Sequence, residues 1–325
     1  MALSEHPSLA PTPTAPQPTP PGKQPSALFK HVVSHAHRLD RLIARLSTIF
    51  SSPASTDALL GTLSYTLELL AALISRLLAR RLTSIASAIA EKADEVLLPG
   101  ETLVTTLPTT SGDEVLAQVA TGSKALAAVI ADYRIFARLW GLAGLYTWAR
   151  ATWNAPVASD EGTKTKVVRR ITWAQIASLA IFQVLENGAY LASKGVLTGS
   201  GWSGEAGKRK EVTWWVWSCR FWAAHVALEL LRVAVLRYYQ ANESSVSQEK
   251  ELIADGEKES KLLAETKRRE RWAWWRDLVS NIAYMPMTLH WSVEEKDGFL
   301  SDWGVGLLGA IAAGTMLVDV WKQTA

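Results

Sequence analysis

Apolar positions recur at helical spacing from the first ordered-looking stretch. Leu28, Phe29, Val32, Val33, Ala36, Leu39, Leu42, Ile43, Leu46, Ile49 and Phe50 share one stripe. Lys30, His31, His35, His37, Arg38, Arg41 and Arg45 take the other face, opposed only by Asp40. Ser26 reads as an N-cap and Pro53 as the exit, which makes the helix roughly 35 Å long at about 1.5 Å per residue. Two placements suit this pattern. The helix lies in the headgroup plane with its stripe turned to lipid, or it joins a bundle with its basic face in water.

Further along, a broad apolar band over 57–89 predicts a second long helix, with Glu68 as its internal acid and Arg76, Arg80 and Arg81 at its far end. Residues 97–112, with two prolines and a Thr-rich run, read as a loop. Helix resumes over 115–153, weakened at Gly122, Gly141 and Gly144. Here Arg134, Arg138 and Arg150 sit among Phe136, Leu139, Trp140, Tyr146 and Trp148. Buried guanidinium groups need partners, whereas at a membrane surface they reach phosphates while the rings rest at headgroup depth. Residues 171–196 form another apolar stretch holding Gln175, Gln183 and Glu186, long enough for a span and polar enough for a buried bundle helix. After a Gly/Ser loop over 198–210, a Trp-rich helix over 212–239 is interrupted by Arg220, His225, Glu229 and Arg232, against a simple span.

Residues 242–271 carry charges of mixed sign and read as a solvated helix. Their basic end runs into Trp272, Trp274 and Trp275, the pattern of a juxtamembrane anchor. Trp303–Trp321 is the best transmembrane candidate, apolar until Asp319 with a Trp at each end. Gly306, Ala310 and Gly314 recur every fourth residue there, either as a surface for self-association or as incidental small residues in a span.

The chain therefore reads as all-α: a membrane-associated helical bundle with amphipathic interfacial helices and a C-terminal transmembrane helix. It divides into a disordered Pro-rich arm (1–26), an amphipathic helical region (27–153), a helical membrane region (154–241), a charged linker or helix (242–271), and a juxtamembrane segment with the terminal helix (272–325). Composition agrees. Of 325 residues, 48% are hydrophobic and 15 are tryptophan, a residue that favours membrane interfaces. A net charge of +3 gives no general affinity for nucleic acid. Cys219 is the single cysteine, so no internal disulfide forms and a reducing compartment is expected. The first residues lack the apolar core of a signal peptide, and the last four are not a peroxisomal or reticular address.

Chemistry-bearing motifs are few. GxGxxG occurs at Gly199–Gly204 and at Gly304–Gly309, but a dinucleotide site needs a strand before it and a helix after it. The first lies in a predicted loop between helices, the second inside an apolar helix. His31, His35 and His37 share a helix face with no carboxylate or cysteine cluster, and read as polar surface. No Walker, GxSxG, HExxH or DFG pattern is present. No enzymatic role, metal or cofactor is expected.

Tyr133–Gly141 (YRIFARLWG) resembles the central motif of the peroxin-eleven family, especially its fungal C/gamma-type members. Glu186–Leu197 (ENGAYLASKGVL), Arg220–Arg232 (RFWAAHVALELLR) and Asn281–Trp291 (NIAYMPMTLHW) are similar to further blocks of that family, in the same order, across roughly 28–316. The Pro-rich arm and the charged insert depart from it. The resemblance implies a peroxisomal integral membrane protein that elongates and proliferates peroxisomes, self-associates, and feeds fission through a tail-anchored adaptor and a dynamin-related GTPase. It also implies cytosolic termini, hence an even number of spans, with 171–191 as the companion of Trp303–Trp321. The resemblance carries lipid-facing wedge residues best to 115–140, with Phe136, Leu139 and Trp140; Leu39, Leu42 and Ile43 on 28–50 are an independent wedge candidate from periodicity. Arg38, Arg41, Arg45, Arg134 and Arg138 hold anionic headgroups, and Gly306, Ala310 and Gly314 pack copies together. A pore lined by Gln175, Gln183 and Glu186, and a tether working through the arm and insert, are the alternatives.

Overall fold

In the computed structural model the described residues are 27–98, 101–156, 162–253 and 257–324, with side chains left aside at 27–34, 241–260 and 295. The expected arm, 1–26, lies outside them. The described residues form eight α-helices and two 3₁₀ turns, with no strand among them. The helices are α1 (Ala27–Phe50), α2 (Pro53–Asp94), α3 (Ser111–Arg138), α4 (Gly141–Asn154), α5 (Thr163–Ser193), α6 (Gly204–Ile253), α7 (Glu257–His290) and α8 (Asp302–Gln323). The all-α expectation holds. The chain parts into two units, Met1–Ser47 and Thr48–Ala325.

Local chemistry sets the helix bounds. Pro53 opens α2 rather than only closing α1: its ring occupies the first turn, where the missing N–H costs nothing, after Ser52 in extended backbone. A capping box starts α3 earlier than periodicity suggests. Thr110 Oγ1 accepts from Asp113 N at 3.2 Å, and Asp113 Oδ2 accepts from Thr110 N at 3.3 Å.

The helix predicted to run through 115–153 is interrupted. Leu139 and Trp140 separate α3 from α4, and α5 satisfies the carbonyls this frees. Gln183 Nε2 donates to Arg138 O at 2.8 Å, and Asn187 Nδ2 donates to Leu139 O at 3.2 Å. Gly141 is needed for this approach, because a Cβ there would lie 2.5 Å from Gln183 Oε1.

Within the second unit the helices close a ring. α5 packs on α6, α6 on α7, α7 on α8, α8 on α2, α2 on α3, and α3 returns to α5, with α4 alongside α5. Small residues let the backbones approach. A Cβ on Gly306 would lie 2.6 Å from Leu69 N, and one on Gly309 would lie 2.3 Å from the Tyr65 ring. Buried hydroxyls bond across the seams: Ser64 Oγ donates to Ala127 O and Ser280 Oγ to Ala312 O, both at 3.1 Å.

Among the described residues three helices are long and apolar enough to cross a membrane: α2, α3 and α8. α5, the expected companion span, is not among them. Its Gln175, Gln183 and Glu186 are buried and bonded inside the ring. α3 turns one apolar stripe outward: Val115, Val119, Leu126, Val129, Tyr133 and Phe136 are exposed, while Ala120, Ala127 and Ile130 are buried. A helix pinned to its neighbour by one face and greasy on the other suits lipid contact. Both GxGxxG stretches lie against helices. The first begins at Gly199, just before the 3₁₀ turn Ser200–Trp202, and ends at Gly204, which opens α6 with φ 66°; the second lies inside α8.

Candidate functional site

The ring encloses a cavity of about 820 Å³. α2 lines it with Asp57, Ser64, Tyr65 and Glu68, which share one helix face. α3 contributes Arg134, Ile135 and Arg138; α5 contributes Phe182 and Glu186. Cys219, Trp215 and Trp222 come from α6, and Tyr284, His290 and Trp291 from α7.

Two forked ion pairs cross the cavity wall. Arg138 Nε and Nη2 each donate to a Glu186 oxygen at 2.8 Å. Arg134 Nε and Nη2 donate to the two Asp57 oxygens at 2.7 and 3.2 Å. Such paired planar contacts fix orientation as well as charge. The guanidinium of Arg134 also lies 5.6 Å from the Tyr65 ring centre. Trp222 stacks on Trp291 at 5.8 Å and meets Tyr284 at 5.6 Å, making an aromatic wall. His290 Nδ1 accepts from Leu300 N at 3.0 Å, which fixes the loop before α8 over the cavity's end. Burial pushes the Cys219 thiol up to about 11 and raises the Tyr284 phenol, so both stay protonated at neutral pH.

A second polar chain ties four helices outside the cavity. Gln175 Nε2 donates to Glu229 Oε2 at 2.5 Å, and Arg232 Nε donates to the same carboxylate at 2.9 Å. Arg232 Nη2 reaches Asp277 at 3.3 Å, and Arg276 bridges Asp277 at 2.7 Å and Asp319 at 2.6 Å. Trp272 Nε1 donates to Asp319 at 3.1 Å, so the one acid in the apolar run of α8 is fully engaged by α7. His225 Nδ1 has no hydrogen-bond partner among the described residues, and burial holds that imidazole below its ordinary value.

The residues singled out from sequence fall in three places. On α1, Leu39, Leu42 and Ile43 are exposed, as are Arg38 and Arg41, and Arg45 is half-buried. At the α3–α4 corner Phe136 and Trp140 project outward, edge to face at 5.2 Å, with Leu139 half-buried beside them. Arg134 and Arg138, on the same segment, turn inward to carboxylates. Gly306 is buried against α2, Ala310 packs against the Tyr65–Met287–Ala313 core, and Gly314 leaves 4.0 Å to Thr62. That small-residue face is therefore met by α2 of the same chain. Of the three residues considered as a pore lining, only Glu186 reaches the cavity; Gln175 and Gln183 are bonded elsewhere.

Sequence reasoning did not identify Asp57, Tyr284 or the aromatic wall. The clue available was positional. Each of the four blocks quoted above places side chains at this cavity: Arg134 and Arg138, Glu186, Trp222, then Tyr284 and Trp291. Comparison with protein-family models, with curated proteins and with solved structures finds no match to this chain.

Proposed function

We propose that this chain is a peroxisomal membrane protein that remodels and elongates its bilayer by shallow insertion of an amphipathic helix, promoting proliferation and fission. The observation that carries the reading is α1. It exposes Leu39, Leu42 and Ile43 with Arg38 and Arg41 along their flank, and it is not among the span-capable helices. Such a helix, buried to about 5–10 Å, expands the leaflet it enters and favours positive curvature. The ring's three apolar helices would anchor the chain while α1 supplies the wedge. The resemblance of four sequence blocks to the peroxin-eleven family supports the peroxisomal location, self-association, and delivery to a fission adaptor and its dynamin-related GTPase.

Full-length protein reconstituted with anionic vesicles tests this. Wild type should draw tubules; Leu42→Asp with Ile43→Asp should insert equally and leave vesicles spherical. Equal tubulation by both proteins rejects the wedge. A tagged copy should sit on peroxisomes, and its loss should leave them fewer and altered in length. A metabolite channel is the second reading, favoured by the cavity itself. Single-channel conductance in planar bilayers, abolished by Glu186→Ala, would select it.

A further inference from the structure

The cavity's charges do not cancel. Asp57 is matched by Arg134 and Glu186 by Arg138, and Glu294 at the rim pairs with Lys296 at 3.1 Å. Glu68 also faces the cavity but makes no ion pair among the described residues. Of the cations whose field reaches it, Arg134 is held by Asp57 at 2.7 Å, and Lys124 lies in solvent beside Asp302 at 3.6 Å. A half-buried carboxyl in an apolar bundle is met either by a proton or by a positive partner, and this one stands where a cationic ligand would reach it. Three residues back on the same helix stands Tyr65, and the wall is completed by Tyr284, Trp222 and Trp291. Aromatic faces beside a carboxylate recognise a quaternary ammonium, which cannot donate a conventional hydrogen bond and is held by ring electrostatics. The Arg138 guanidinium adds an anion-facing element, since its bonds to Glu186 use only Nε and Nη2, whereas Arg134 is shared between Asp57 and Tyr65.

We infer that the cavity binds one phospholipid with a choline-type headgroup: trimethylammonium against Glu68 and the aromatic wall, phosphate toward the Nη1 end of Arg138. A volume of about 820 Å³ is in the range of a single-ligand pocket and leaves room for the upper acyl chains along Ile135 and Phe182. Binding is independent of curvature generation: it requires no bilayer, and tubulation requires no occupied cavity.

The test uses the full chain in a neutral maltoside detergent, with dihexanoyl phosphatidylcholine, dihexanoyl phosphatidylglycerol, free phosphocholine and inorganic phosphate as probes. Native mass spectrometry reads stoichiometry, and the part of the tryptophan fluorescence change that Trp291→Phe removes reads occupancy at the aromatic wall. The choline lipid should bind saturably, one per chain, about tenfold or more tighter than the glycerol lipid and than free phosphocholine. Glu68→Gln, which is isosteric, should weaken the choline lipid about tenfold and leave the glycerol lipid unchanged. Trp291→Phe keeps the fold and a ring face and should bind within about threefold of wild type, whereas Trp291→Leu should not. Equal binding of the two lipids, phosphocholine as tight as the lipid, or an indifferent Glu68→Gln each overturns the inference.

Discussion

Arg138 grips Glu186 through two hydrogen bonds of 2.8 Å, and this clasp joins helices that are 48 positions apart in the chain. Glu186 is almost wholly buried, so its charge has no solvent to fall back on. The carbonyl of Arg138 is meanwhile held by Gln183, one turn earlier on α5. One residue is thus fixed by both its ends.

Removing one partner of that clasp should be costly. Arg138→Ala leaves Glu186 buried and unmatched, and should cost on the order of 3 kcal/mol. The double change Arg138→Met with Glu186→Leu should recover most of the loss. Thermal unfolding in detergent measures both; a single variant as stable as wild type contradicts the assignment.

The glycines of α8 should not respond alike. Gly309→Ala drives a Cβ into the Tyr65 ring and Gly306→Ala into the Leu69 backbone, and overpacking of this kind costs about 1–3 kcal/mol. Gly314→Ala meets only Thr62 at 4.0 Å and should be neutral. If the stripe instead serves mainly between copies, all three changes would reduce crosslinked oligomers while monomer stability stayed constant.

Asp319 should anchor α7 to α8. Asp319→Leu leaves Arg276 with Asp277 alone and frees Trp272 Nε1. The fluorescence of a variant keeping Trp272 but lacking the acid should shift, and unfolding should come at lower denaturant. Pairing it with Arg276→Met should restore stability, since an apolar replacement of both partners is often neutral.

Cys219 should be sluggish toward alkylation. Its thiol is raised by burial from 9.0 to about 11, so the thiolate at neutral pH is scarcer by about a hundredfold than for an ordinary cysteine. Iodoacetamide labelling followed by mass spectrometry should be slow in the folded protein, climb with pH, and become fast on unfolding.

The helices themselves were largely legible. The stripe over 28–50 and the apolar run over 303–321 match α1 and α8 closely, because period and length are local properties. The break at Leu139–Trp140 was only half legible: Gly141 signals weakness, but the amides that reward a break belong to Gln183 and Asn187, far along the chain. The site was less legible still. Arg134 and Arg138 among aromatics suit headgroups as readily as carboxylates, and nothing near them in sequence names Asp57 or Glu186 as partners. Likewise the glutamines of α5 suggested a lumen, whereas their amides are consumed by Glu229 and by the carbonyl of Arg138.

The bedding of α8 on α2 has a consequence for biosynthesis. The groove over Tyr65 and Leu69 is filled by α8, which leaves the ribosome long after α2. Until then α2 waits with that flank uncovered, so a stalled nascent chain offers a chaperone or an insertase a greasy handle on α2 that α8 later covers.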